Sequence, residues 1–378
     1  MISRIFFIGV FLAALFAAQT SLAFNLDIWG VGHVSFDSVD DGDDRSEYVA
    51  SNSSRLGFSG DHDLGNGISL IYRYESGVDL TGQSGNDGNG GGSRTGEFFT
   101  ATRDSFVGLT GRFGTLHFGK HGGLNEWVYD VNPFGDWVGD LGNIWGGTGL
   151  PGRISSQVRY TTPDIGGFNV GLTYAPEEGV DDTEIVLVKA NFANEDVVPG
   201  LKLGAAYMSV GQGKAGVPLK ELDEQTVFAV TGSYNFGKFW IGAGYQAESD
   251  IPNGVQGSIK GVPGLSDDDG RDSFTVAATA KLGNGTLKAQ FTDTGGDAKD
   301  TDASQIAVGY DYNLGKNTVL YIAYASTDND DFASFSANNY GHGDAVSPFQ
   351  DPITGFYDDV DAISIGVVYK FNAALWPR

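Results

Sequence analysis

The sequence predicts an all-β fold: a transmembrane antiparallel β-barrel of sixteen strands, with short turns at one rim and long loops at the other. Three observations carry this. Seven Gly-bearing tight turns each join two segments in which apolar and polar residues alternate. Alternation has the strand period of two, and about ten tilted residues cross a bilayer. The connections between successive hairpins are longer, acidic and Gly-rich, which matches the asymmetric rims of an outer-membrane barrel. The composition agrees: 57 Gly, 25 Phe and 16 Tyr among 378 residues favour turns and strands over helices.

In chain order, residues 1–23 read as a secretory signal peptide. Arg4 gives the positive start, Ile5 to Ala18 the apolar run and Ser21-Leu22-Ala23 the cleavage site before Phe24. The tight turns then fall at Asp63 to Gly67, Gly111 to Gly114, Pro163 to Gly167, Glu195 to Gly200, Asn235 to Lys238, Leu282 to Gly285 and Asn313 to Lys316. Two strands around each turn make fourteen, and Phe24 to Val39 and Asp359 to Phe371 add one at each end. An even sixteen closes with first beside last and leaves an aqueous lumen. The barrel domain is expected over residues 24–371, followed by a tail at 372–378.

Several strands show which face is which. Ile363, Ile365, Val367, Tyr369 and Phe371 oppose Ser364, Gly366 and Lys370, and Phe274, Val276 and Ala278 oppose Ser273, Thr275 and Thr279. A soluble half-buried sheet also alternates. Here, though, the apolar faces tend to end in Tyr or Phe beside the tight turns, as at Tyr234, Phe236 and Tyr312. That is the place of an interfacial aromatic girdle. The small polar groups opposite suit a wet lumen better than a core.

The formal charge is −25, with 48 acidic against 23 basic residues. Nucleic acid as a partner is therefore excluded. The acids cluster at Asp37 to Glu47, Glu177 to Glu184, Asp267 to Asp272 and Asp328 to Asp361, which reads as solvated loops around a mouth that attracts cations. There is no cysteine and hence no disulfide framework. Gly232 to Lys238 has phosphate-loop spacing, but Phe239 replaces the required Ser or Thr and the segment is a hairpin turn. His117 and His121 lie four apart on a strand, which is not a chelating face. No nucleophile elbow is present. The chain is read as neither an enzyme nor a cofactor or metal protein.

Residues 122–152 break the hairpin rhythm. Such a length far exceeds ordinary hairpin loops. The segment holds Trp127, Tyr129, Phe134, Trp137, Leu141, Ile144 and Trp145, too many large apolar groups for a disordered stretch. It also holds Glu126, Asp130, Asp136 and Asp140.

Ser54 to Gly60, Arg103 to Gly111, Phe113 to Lys120, Val158 to Phe168 and Val367 to Phe371 resemble, in order and spacing, strands of the general porins of Gram-negative outer membranes. The resemblance implies a homotrimeric barrel in contact with outer-membrane lipid and lipopolysaccharide, passing ions and small hydrophilic solutes. It implies that the third loop folds into the lumen: Asn132 to Trp137 resembles that loop's Pro-Phe-Gly-Asp core. Glu126, Asp130, Asp136 and Asp140 are then expected to face the water, opposite wall bases. Arg55 and Arg103 fall on the matching positions, and Arg159 and Arg73 are further candidates. Alternation aims these inward while Leu56, Phe58 and Phe106 face lipid. Acids opposite bases make a transverse field, and charge of this kind sets selectivity in pores. The acidic excess favours cations. A substrate-specific channel for an oxyanion, sugar or organic acid, or a non-conducting adhesive barrel, is the alternative. Phe371 followed by seven more residues departs from the family's usual aromatic ending.

Overall fold

A single antiparallel meander runs once around the barrel, and its last strand pairs with its first. The computed structural model describes residues 25–82, 99–215, 220–221, 223–251 and 270–374. The expected signal peptide and the last four residues of the tail lie outside these. The strands are β1 (Asp27–Asp40), β2 (Arg45–Ser51 and Arg55–Gly65), β3 (Ile68–Val78), β4 (Phe99–Thr102 and Ser105–Gly111), β5 (Gly114–Gly122), β6 (Arg153–Thr161), β7 (Phe168–Ala175) and β8 (Ile185–Ala193). They continue as β9 (Leu201–Val210), β10 (Gln225–Asn235), β11 (Phe239–Ser249), β12 (Arg271–Leu282), β13 (Gly285–Gly296), β14 (Ala303–Asn313), β15 (Thr318–Asn329) and β16 (Val360–Ala374).

Each of the seven tight turns joins a pair of adjacent strands, as the sequence predicts. Closure runs from Asp40 opposite Asp361 to Asp27 opposite Ala374. A closed barrel leaves no edge, so every wall strand finds backbone partners without water. The closing strand continues three residues beyond Phe371: Asn372, Ala373 and Ala374 pair with Trp29, Ile28 and Asp27. The beginning of the tail is thus part of the wall.

The two faces are inverted relative to a water-soluble protein. On β16, Ile365 is 56% exposed while the neighbouring Ser364 is 0% exposed. Phe228, Phe274, Phe291 and Ile306 are likewise exposed, and Thr231, Thr275, Thr292 and Gln305 are buried. Only a surrounding lipid makes that arrangement favourable, because about 25 cal/mol is gained per Å² of apolar surface removed from water. Aromatic pairs mark the short-turn rim: the Tyr234 and Phe236 rings, and those of Phe168 and Phe192, have centroids 4.5 Å apart.

One facing expectation fails. Phe106 points into the lumen, not to lipid: it lies opposite Arg73 and stacks on His117 at 4.5 Å. The cause is the break in β4 at Arg103 and Asp104. An interruption resets the alternation, so Arg103 and Phe106 both face inward although their parity differs.

The apolar core sits inside the barrel. Residues 123–152 fold into the lumen with two helical turns, α1 (Asn125–Val128) and α2 (Gly142–Trp145). Leu124, Trp127, Val131, Leu141, Ile144 and Trp145 pack on Leu187, Met208, Val227 and Ala229 of β8 to β10. Phe134, Trp137 and Val138 pack on Ala307, Tyr321, Ala323 and Ala325 of β14 and β15. At the closest approach Gly139 has φ +77°, and a Cβ there would collide with Ala307. Gln290 holds the loop at that point by donating to the Gly139 carbonyl at 3.0 Å.

Candidate pore constriction

The wall supplies the space for the loop, and small residues make that space. Alanines on β14 and β15 leave a hollow that Trp137 fills, stacked on Tyr321 with centroids 3.8 Å apart and planes 24° apart. The Lys288 ammonium lies 3.2 Å from the Trp137 centroid and pairs with Asp311 at 3.1 Å. Such a desolvated cation over an indole face is worth about 2 kcal/mol. At the other anchor Trp127 donates its indole N–H to Gln246 Oε1 at 2.8 Å.

With the loop fixed, its acids meet wall bases directly. Asp136 pairs with Arg55 at 3.0 Å, Glu126 with Arg159 at 2.7 Å, and Asp130 with Lys189, while Thr231 also donates to Asp130 at 2.7 Å. Arg73 and Arg103 are held by the wall itself. Both converge with Arg55 on one wall carboxylate, Glu75, at 2.7, 2.6 and 3.7 Å respectively. The Arg73 guanidinium also lies over the Trp29 ring at 4.5 Å. Arg153 pairs with Asp104 at 2.8 Å. Glu75, Asp104, Arg153 and Lys189 were not singled out in the sequence. Glu75 was within reach: it stands two residues from Arg73 on the same face, across the intervening Tyr74.

Asp140 requires correction, because it does not face the water. It is fully buried and ties the loop's own tip. Its carboxylate accepts from Asn132 Nδ2 at 2.7 Å, Gly142 N–H at 2.8 Å and Asp136 N–H at 2.7 Å. The last of these fixes Asp136 at φ +66°, a left-handed conformation that Asp tolerates better than most residues. Asp140 therefore aims Asp136 at Arg55. Burial, and then the Asp136 charge, push the Asp140 carboxyl up to about 8. Burial acts against ionised Glu126 too, but the His121 imidazole 3.1 Å away and the Arg159 charge outweigh it and hold its carboxyl at about 2.

A second loop turns inward. The acidic segment 328–361 was expected among the solvated loops, yet Ala333, Phe335, Ala337, Asn338 and His342 are buried. Asn143 of the first loop donates to the Ala337 carbonyl at 3.0 Å and accepts from the Asn339 and Tyr340 N–H groups at 2.9 and 2.6 Å. Further on, Ser53 donates to the Gly341 carbonyl at 2.8 Å, and Asn52 accepts from the Gly343 N–H at 2.9 Å. His342 Nε2 lies 3.6 Å from Asp37 of β1. This last loop therefore reaches from the first loop to the wall at β1 and β2.

A closed sixteen-stranded wall with polar lumen, lipid-facing exterior and infolded loops is now in place. The family model described as Gram-negative porin matches residues 7–331. The chain belongs to that family. The porin is 28% identical over 339 residues to outer membrane porin protein 32 of Delftia acidovorans, covering 86% of this chain and 88% of the relative. A major outer membrane protein P.IB of Neisseria gonorrhoeae is 26% identical over 298 residues, covering 73% of this chain and 78% of that one. Among solved structures, an anion-selective porin from Comamonas acidovorans has the same fold, with a TM-score of 0.68 and 20% identity over 92% of this chain and 100% of that chain. The porin is an outer-membrane channel, not an enzyme.

Proposed function

We propose that the porin is a homotrimeric, water-filled channel for passive diffusion of ions and small hydrophilic solutes, and that its constriction favours anions. The net charge of −25 draws cations to the mouth. Selectivity, however, is set where the passage is narrowest and ions lose most of their water. The observation that carries the reading is the charge there. Among the described residues the ion pairs join six bases (Arg55, Arg73, Arg103, Arg153, Arg159 and Lys189) to five acids (Glu75, Asp104, Glu126, Asp130 and Asp136). Four of those bases, Arg55, Arg73, Arg103 and Arg153, stand together on one stretch of wall, and this concentration of guanidinium groups is what an entering anion meets.

The test is the reversal potential of purified protein in planar bilayers under a KCl gradient. A chloride-preferring sign supports the reading. A potassium-preferring sign means that the acidic mouth governs, as the sequence expectation had it, and no conductance at all would return the adhesive-barrel alternative.

A further inference from the structure

Beside the first loop, on the lumen face of β7 to β10, lies a cavity of about 190 Å³, room for one small solute. Neighbouring strands build it in two rows. Asn169, Asn191, Gly204 and Thr231 stand successively opposite one another across four strands, as do Ala193, Lys202 and Ser233 across three. Gly204 admits the group that closes the back of the cavity: a Cβ there would lie 2.5 Å from Thr231 Oγ1, 2.6 Å from Lys189 Nζ and 2.7 Å from Asp130 Oδ2. Asp130 and Lys189 neutralise each other at the back of the site. The Asn191 amide donates to Asn169 Oδ1 at 3.1 Å, which leaves the Asn191 carbonyl oxygen for a ligand.

Lys202 differs from the constriction bases. It is exposed, lines the cavity, and has no ion-pair partner among the described residues. With Asp130 and Lys189 cancelling, the site carries one net positive charge, ringed by an amide and the Ser233 hydroxyl.

We propose that this cavity is a binding subsite for a small hydroxylated carboxylate of sugar-acid or hydroxy-acid type. Lys202 pairs with the carboxylate, and Asn191 and Ser233 take the hydroxyl groups. A neutral sugar satisfies the hydroxyl partners but leaves the ammonium uncompensated, so the charge selects the acid. The inference rests on the channel reading above and narrows its solutes.

The experiment is single-channel recording in KCl with D-gluconate or D-glucose added to either side. Gluconate is expected to reduce the current saturably, glucose about tenfold more weakly, and Lys202→Gln is expected to weaken the gluconate effect about tenfold, each block being read as a fraction of that protein's own unblocked current. Lys202 lies outside the ion pairs that hold the loop, so the variant assembles as the wild type does; a heat-shifted gel band verifies this. Conductance without saturable block by gluconate, or equal block by glucose, or equal block in Lys202→Gln, overturns the subsite and leaves the channel intact. No conductance in the wild type overturns the channel reading itself.

Discussion

The two infolded loops differ in what holds them. The first, residues 123–152, is fastened by fully buried Trp127, Phe134 and Trp145 and by ion pairs to three wall bases. The last, centred on 333–343, adds Ala333, Phe335 and Ala337 to the core with Tyr340 packed beside them, and is docked through Asn143, Asn52 and Ser53 to its own backbone and through the Tyr340 hydroxyl to Asn125. Apolar burial of a large side chain is worth about 1.5–3 kcal/mol, whereas a neutral hydrogen bond contributes about 0.5–1.5 kcal/mol net. The first loop therefore makes most of the core, and the last adds a smaller share of it and is held mainly by hydrogen bonds.

Substitutions should separate the two in a definite order. Trp145→Ala should be the most damaging, costing about 3–5 kcal/mol locally, with release of the first loop read as new proteolytic cleavage between residues 123 and 152. Asp136→Asn should come next. It leaves Arg55 with Glu75 alone, and a broken buried pair costs up to about 3–5 kcal/mol, less here because both partners are partly exposed; a lowered thermal unfolding temperature measures it. Asn143→Ala removes three hydrogen bonds to the last loop, about 2–4 kcal/mol in sum. It should raise protease sensitivity at 333–343 while leaving the first loop protected, and joint loss of protection would show that the loops are one unit.

Titration separates two acids of the first loop. Asp140 sits at about 8 against an ordinary 3.8, so its stabilising contribution is complete below 3.8 and is lost as pH rises through 8. Glu126 has the opposite sign. At about 2 against an ordinary 4.5, its contribution is present above 4.5 and is lost only as pH falls through 2. The loop tip should loosen between pH 7 and 9, visible in Trp137 fluorescence, and stay fixed down to about pH 3. Asp136→Asn removes a charge that raises Asp140 and should move the alkaline midpoint downward.

Much of this architecture was legible in the sequence. Alternation fixes faces because the lipid permits only apolar side chains on one of them, and Gly-bearing turns fix strand ends. The first loop was legible because seven large apolar residues have no other place to be buried. The last loop was not. Its anchors are polar, and Asn143 or Ser53 bonding to backbone has the same composition as a solvated loop. Asp140 was misread for a related reason: a carboxylate that accepts three hydrogen bonds inside a loop cannot be told by residue type from one that faces water. Phe106 was misplaced because an interruption at Arg103 and Asp104 leaves no mark in the alternation itself.

The central claim is that the first loop, pinned to the arginine wall, sets the narrowest passage and the last loop only covers it. Single-channel conductance in concentrated KCl, recorded side by side for wild type, Trp145→Ala and Asn143→Ala, tests it most directly. The structure predicts discrete steps in the wild type, a large rise in Trp145→Ala and a small one in Asn143→Ala. A larger rise in Asn143→Ala than in Trp145→Ala would contradict it.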